Sequence, residues 1–191
     1  MTLSESPRWT AFLDGKRLAS GAPGCVVKAA RKALDADPSP GPGAESRLSF
    51  FSDETGRPLD ADLRGTPDEA AQRVEPQKST KPGRPKLGVS PREVTLLPRH
   101  WDWLSVQPGG ASAALRRLVE EARKDPRAEA KRAQAAAGNF MTAALGDAPN
   151  YEEASRALYA KDQARFLALT EAWPEDLRDH ARRLAAPGFE A

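Results

Sequence analysis

Short apolar stretches and amphipathic stretches alternate along the first third of the chain. Trp9–Leu13 has the composition of a β-strand, and Asp14-Gly15 predicts a tight hairpin turn because both residues tolerate a positive φ. Residues 16–19 would return as the second strand. The apolar stripe in residues 25–36 has helical spacing, so it predicts a helix that follows the hairpin.

The next stretch repeats this arrangement. Residues 48–51 predict a third strand and residues 59–63 a possible fourth. Thr66 and Pro67 then mark the start of a helix, since threonine is a good N-cap and proline fits the first helical position. The pattern predicts a small ββαββα unit over residues 1–75.

A change of pattern at residue 76 indicates a linker. The stretch KSTKPGRPKLGVSPR, residues 78–92, has five basic residues, three prolines and no acid, so it continues neither a helix nor a central strand. We expect residues 76–90 to be a basic, proline-rich linker. Residues 91–191 would form a second, mainly helical domain.

Helical periodicity dominates this last part. Residues 93–97 are β-prone and end at Pro98, so they predict one short strand. Helices are expected at 99–106, from a cap at Ser112, and from Asp125-Pro126 onward. One long helix over 151–173 and a last helix after Pro174 complete an α+β fold.

Charge is distributed unevenly. The 191 residues include 29 Lys and Arg against 27 Asp and Glu, a net charge of +2. Residues 78–132, however, have 13 basic and 6 acidic side chains, a net charge of +7. A concentrated basic segment points to a polyanionic partner such as DNA.

The composition offers little for catalysis or metal binding. The chain has one cysteine and two histidines, and no nucleophile–base pair or phosphate-binding glycine loop, so we expect no enzyme activity, cofactor or metal. Cys25 is interpreted as a small buried side chain, His100 as a packing residue and His180 as a surface residue. The neighbouring acids Asp53, Glu54, Asp60 and Asp62 are interpreted as solvated strand and turn residues.

Hydropathy indicates no membrane segment. Mean hydropathy is −0.62, and no run approaches the roughly 18 apolar residues that a span requires. The first residues lack the basic and apolar regions of a secretory signal. With a single cysteine, this predicts a cytoplasmic protein.

Residues 92–123, with a strand, Leu97-Pro98, a short helix, a glycine break and an amphipathic helix, resemble the ribbon-helix-helix unit of bacterial repressors. The resemblance implies that two chains pair their strands at 93–97 into a ribbon that enters the major groove of double-stranded DNA. It also implies a phosphate contact at the start of the second helix, here Gly110, Ala111 and Ser112.

The register of this segment leaves an alternative open. Aligned on Leu97-Pro98, the outward ribbon positions are Leu96, Val94 and Arg92, of which only Arg92 is polar. Because side chains alternate along a strand, this phase suits a core strand packed under the helices better than a base-reading ribbon. A bulge would reverse the phase and turn Glu93 and Thr95 outward.

The linker contains a second DNA-related motif. Lys81-Pro82-Gly83-Arg84-Pro85-Lys86 resembles the AT-hook, whose Gly-Arg-Pro core lies in the minor groove of A·T-rich DNA. Arginine favours that groove because it is narrow and strongly negative over A-tracts. A solvated basic linker is the alternative interpretation.

The full chain is similar to an uncharacterised bacterial family, a domain of unknown function, through the run GRPKLGVSPREVTLLPRHWDWL and the long helical stretch after Tyr151. This resemblance implies no activity. We therefore expect a non-enzymatic DNA-binding protein or regulator; the alternative is a protein-interaction module. The DNA-contacting candidates are Lys81, Gly83, Arg84, Pro85, Lys86, Arg92, Thr95, Gly110 and Ser112.

Overall fold

A computed structural model describes residues 7–36, 44–75 and 92–190. Its first part alternates strands and helices: β1 Trp9–Leu13, β2 Lys16–Gly21, α1 Pro23–Asp35, β3 Leu48–Ser52, β4 Pro58–Leu59 and α2 Pro67–Val74. The predicted ββαββα order and the α+β class are confirmed. The fourth strand is shorter than predicted, because only two of its residues pair with β3.

The strands form one antiparallel sheet in the order β2-β1-β3-β4. Asp14 and Gly15 have φ values of 51° and 74°, as the predicted tight turn between β1 and β2 requires. At α2, the Thr66 side chain accepts from the Glu69 amide while the Glu69 carboxylate accepts from the Thr66 amide. This capping box satisfies amides that the helix itself leaves unpaired.

The remainder of the described chain is helical. Its elements are α3 Pro98–Ser105, α4 Gly110–Arg123, α5 Pro126–Leu145, α6 Tyr151–Tyr159, α7 Gln163–Leu169 and α8 Glu175–Phe189. Two predictions are wrong here. Residues 151–173 are two helices rather than one, because Lys161 has a φ of 58° and Asp162 caps α7. The cap of α4 is Gly109, with a φ of 82°, and not Ser112.

Both faces of the sheet are covered. Ala11 and Phe50 pack on one face with Val26 and Val27 of α1. On the other face, Phe12 and Phe51 belong to a core supplied by the C-terminal helices, which includes Phe140, Met141, Leu158, Phe166, Ala181 and Leu184. Successive side chains of a strand point to opposite faces of the sheet, so neighbouring residues pack in opposite layers.

The chain divides into two compact units whose limits differ from the predicted ones. The first unit combines residues 1–75 with 129–191, and the second is residues 76–128. The predicted boundaries assigned the C-terminal helices to a separate domain, whereas α5 to α8 supply the second layer of the first unit. Sequence periodicity shows that a helix has an apolar stripe but not which surface the stripe covers.

The short strand predicted at residues 93–97 does not form in the single chain. Within the described residues, no amide from Arg92 to Leu97 donates a backbone hydrogen bond. Val94 and Thr95 favour an extended backbone, but a strand also requires a partner that accepts its hydrogen bonds. The described part of the chain supplies none.

Candidate functional site

The second unit is built around a groove between two helices. Leu96 precedes α3, and Leu104 is the buried residue on that helix. With α4 they enclose an apolar cavity of about 260 Å³, lined by Leu96, His100, Trp103, Leu104, Leu115 and Leu118. The predicted packing role of His100 holds in part: the residue lines this cavity but is exposed overall.

The cavity shows which residue of the segment 92–97 packs against the two helices. Leu96 is half-buried in the groove, whereas the other described residues from Arg92 to Leu97 are exposed. The alignment on Leu97-Pro98 placed Leu96 outward, and that assignment is wrong. Glu93, Thr95 and Leu97 do not line the groove and are exposed to solvent.

The start of α4 is open to solvent. Gly109 and Gly110 have φ values of 82° and 76°, which non-glycine residues rarely adopt. No side chain caps the helix, and Gly110 and Ser112 are exposed. The amide of Gly110 donates to the Gln107 carbonyl at 3.0 Å. The amides that follow it belong to the first turn, where a helix provides no acceptor and an anion can bind.

The described part of the second unit contains four of the predicted DNA-contacting residues. Arg92, Thr95, Gly110 and Ser112 belong to the second unit and are exposed. The AT-hook candidates Lys81, Gly83, Arg84, Pro85 and Lys86 lie outside the described residues.

The first unit contains a buried polar cluster that the sequence analysis missed. Asp53, at the end of β3, accepts from the Thr10 hydroxyl at 2.7 Å and from the Arg183 guanidinium at 3.1 Å. Its side chain is only 7% exposed, so the interpretation of Asp53 as a solvated turn residue is wrong. Thr10 Oγ1 also lies 3.0 Å from Ser20 Oγ.

His180 of α8 completes this cluster and is fully buried, not a surface residue as predicted. Arg183 contacts Nδ1 at 2.9 Å. Because arginine can only donate, Nδ1 accepts and the proton of the neutral ring is on Nε2. No described residue provides a hydrogen-bond partner for Nε2; Asp53 Oδ1 lies 3.8 Å away.

The surroundings of His180 keep its ring neutral. Burial lowers the pKa of His180 to about 4, and the positive charge of Arg183 acts in the same direction, against the opposing effect of Asp53. The rings of Phe12 and Phe140 pack against the imidazole at centroid distances of 5.3 and 4.5 Å. The cluster therefore joins α8 to the sheet through an enclosed, neutral imidazole.

A signal for His180 was present in the sequence. Leu177 and Leu184, three residues before it and four after it, lie on the inward stripe predicted for the last helix. Asp53 gave no such signal, because its burial depends on α8, which lies more than 100 residues later. Cys25, predicted as buried, is exposed. The next two residues of α1, Val26 and Val27, are buried in the core instead.

Two other functional features, a metal centre and a membrane-spanning helix, are not found among the described residues. No group of three or more His, Cys, Asp or Glu side chains is placed to hold a metal ion. No helix in this part of the chain combines the length and the apolar content that crossing a bilayer requires.

Comparisons with known proteins identify the family. The family model DUF2239, described as an uncharacterized protein conserved in bacteria, matches residues 8–185. No curated protein and no solved structure matches the chain. The match includes both units, the open start of α4 and the buried cluster around His180. The chain therefore belongs to the DUF2239 family of bacterial proteins.

Proposed function

We propose that this protein is a non-enzymatic DNA-binding protein that acts in the bacterial cytoplasm, with the second unit as its contact surface. The observation that carries the proposal is the exposed segment before α3, residues 92–97. Leu96 anchors it in the groove, so Thr95 and its alternate neighbours are free to face a ligand. A paired extended segment of this kind fits the major groove.

The open end of α4 supports a phosphate contact beside this segment. No side chain caps this end, Gly109 and Gly110 have positive φ, and Ser112 adds an exposed hydroxyl to the first turn. Phosphate contacts of this kind fix the position of a protein on the duplex, while residues in the groove read the bases.

Charge gives independent support. The net charge of +7 over residues 78–132 is suited to the DNA backbone. The hook-like Gly83-Arg84-Pro85-Lys86 would add a minor-groove contact on A·T-rich sequences.

The test is duplex binding by the full chain at several salt concentrations, on A·T-rich and G·C-rich DNA. We expect log affinity to fall linearly with log salt, with a slope that counts the phosphate contacts. Arg84→Ala should weaken binding to the A·T-rich duplex more than to the G·C-rich one. Arg57→Ala, in the turn before β4, is the matched control and should change the affinity for neither duplex. Absence of salt-dependent binding would overturn the proposal.

A second candidate function is supported by a different observation. The groove between α3 and α4 is almost entirely apolar and open, which suits the binding of another protein. Under this alternative the protein is an adaptor without a nucleic-acid role. Binding of a protein partner that Leu115→Glu abolishes, with no DNA binding by the wild type, would favour it.

A further inference from the structure

Large apolar side chains are exposed mainly in the second unit. Within the described residues, nine large hydrophobic residues are exposed, and seven of them lie between residues 94 and 119. Four of the seven belong to α3 and α4, and we call them the apolar surface: Trp101, Trp103, Leu118 and Val119. Trp103 and Leu118 also line the groove, so groove and surface are continuous.

We propose that the second unit docks on the surface of an anionic phospholipid bilayer, with the apolar surface inserted among the headgroups and the upper acyl chains. Such docking attaches a protein to one leaflet through exposed side chains and involves no helix that crosses the bilayer. The proposal goes beyond DNA binding, because it assigns the same unit a second ligand of different chemistry.

The two exposed tryptophans differ from the buried one. Trp101 and Trp103 are 42% and 50% exposed, and no described residue accepts a hydrogen bond from either indole. Trp173 of the first unit is only 3% exposed, and its indole donates to the Pro149 carbonyl at 2.7 Å. A large apolar ring with a free donor suits the boundary between hydrocarbon and headgroups, where tryptophan is enriched in membrane proteins.

The second unit has few apolar residues in its interior. Within its described part, Leu104 and Ala114 are the buried apolar residues, whereas seven large apolar residues are exposed. The unit therefore presents more large apolar side chains to its surroundings than it buries. An exposed apolar area of this kind marks a contact with a membrane or with another macromolecule.

Charge has opposite signs in the two units. Residues 76–128, the second unit, have eleven basic and five acidic side chains, a net charge of +6. The rest of the chain, which forms the first unit, has 18 basic and 22 acidic side chains, a net charge of −4. An anionic bilayer therefore attracts the unit that has the apolar surface and repels the other one.

Arginines accompany the apolar surface on both helices. Arg99 lies one turn before Trp103 on α3, and Arg116 lies one turn before Val119 on α4. Residues three or four positions apart are neighbours on the surface of a helix, so each guanidinium is beside an apolar side chain. All four side chains are exposed. A long basic side chain at such a position can reach lipid phosphates while the apolar neighbour enters the acyl region.

Charge and apolarity together favour a bilayer over two other macromolecules that could cover this surface. Duplex DNA matches the positive charge, but its ionic backbone offers exposed tryptophans no apolar contact. A second copy of the chain matches the apolar surface, but it brings a second unit with the same charge of +6. An anionic bilayer provides both a negative headgroup layer and an apolar interior.

The test is binding of the full chain to vesicles of phosphatidylcholine alone and of phosphatidylcholine mixed in equal parts with phosphatidylglycerol. Flotation separates bound protein from free protein. We expect binding to the mixed vesicles to be at least about 10-fold stronger, since each basic residue near an anionic surface adds attraction. Tryptophan emission should shift to shorter wavelength and be quenched by brominated lipid, because the indoles leave water.

A double substitution tests the apolar surface. Trp101→Ser combined with Trp103→Ser should weaken binding to the mixed vesicles by at least about 10-fold and abolish the emission shift. Tyr159→Ser combined with Leu167→Ser is the matched control, since these are the two exposed large apolar residues in the described part of the first unit. The control should bind the vesicles as the wild type does. Circular dichroism checks that each variant keeps its helical content.

Each outcome decides the proposal. No binding to the mixed vesicles would overturn it, as would equal binding to neutral and anionic vesicles or unchanged binding by the double tryptophan variant. A dimer that this variant dissociates, in a chain that binds no vesicle, would assign the surface to a second copy instead. Vesicle binding by a chain without DNA affinity would support this inference and overturn only the proposed DNA binding, and the reverse result would overturn only this inference.

Discussion

Gly56 occupies a position that leaves no room for a side chain. Its φ is 64°, and a Cβ atom built on it would overlap the carbonyl oxygen of Ala136 in α5. We expect Gly56→Ala to lower the free energy of unfolding by about 3 kcal/mol or more, since left-handed strain and backbone overlap add. Urea denaturation measures the loss.

The matched control is Gly15, which has a similar φ of 74° but an open environment. The nearest atom to its built Cβ is Leu177 Cδ1 at an ordinary 3.5 Å. Gly15→Ala should therefore cost only about 1–2 kcal/mol, the cost of the left-handed backbone alone. Equal losses for the two variants would show that contact with α5 contributes nothing.

His180 should make the stability of the first unit depend on pH. Its pKa is lowered to about 4 in the folded chain, below the ordinary histidine value of 6.5, so the unfolded chain binds the proton more tightly. Stability is therefore fully present above pH 6.5 and is lost as the pH falls toward 4, by about 3 kcal/mol. The titrating or charged neighbours are Asp53, Arg183 and Arg17.

Urea denaturation of the wild type and of His180→Gln at pH 7, 5.5 and 4.5 tests this expectation. The stability advantage of the wild type over the variant should shrink as the pH falls, because glutamine does not titrate. Leu167→Gln, at an exposed position of α7, should differ from the wild type by a constant amount because neither side chain titrates. A difference in stability between His180→Gln and the wild type that stays constant with pH would contradict the lowered pKa of His180.

At the scale of elements, Asp162 separates two helices that sequence periodicity predicts as one. Its carboxylate accepts from the Arg165 amide at 3.0 Å and so caps α7. Asp162→Ala should lower the free energy of unfolding by about 1 kcal/mol, the usual value of an N-cap. Asp147→Ala, at an exposed aspartate after α5, should have little effect. Thermal unfolding compares the two variants, and equally small shifts in their melting temperatures would argue against a cap at Asp162.

The elements show which parts of the fold local sequence determines. The hairpin at Asp14-Gly15 and the cap of α2 at Thr66 were predicted because their signals lie within four residues. The break at Asp162 was missed because the apolar spacing continues through it. Residues 93–97 were predicted as a strand from their composition, but pairing depends on a partner that local sequence does not describe.

At the scale of the molecule, the first unit is assembled from two separate stretches of chain. Phe12 and Phe51 are covered by α5 and α8, so residues 1–75 alone would expose one face of the sheet. We expect a fragment 1–75 to lack a cooperative unfolding transition. Coexpression with residues 126–191 should restore the transition and allow both fragments to be purified together. A fragment 1–75 that unfolds cooperatively by itself would contradict the shared core.

This assembly from two stretches explains why the limits of the compact units differ from the predicted domain boundaries. Composition marks residues 76–90 as different from their surroundings, and the linker predicted there lies outside the described residues. It could not show that the chain returns to the sheet after residue 128. The cluster of Asp53, Thr10 and His180 was hidden for the same reason, since its members are far apart in sequence.

The two-sided covering of the sheet also has a consequence for synthesis on the ribosome. The sheet residue Phe51 is made well before α8, whose last residue is Phe189. Synthesis proceeds at about 5–20 residues per second, so this face of the sheet stays uncovered for on the order of ten seconds, until α8 has been made. During that interval the nascent chain presents two phenylalanines and free strand surface to the cell, which makes it a candidate client for ribosome-associated chaperones.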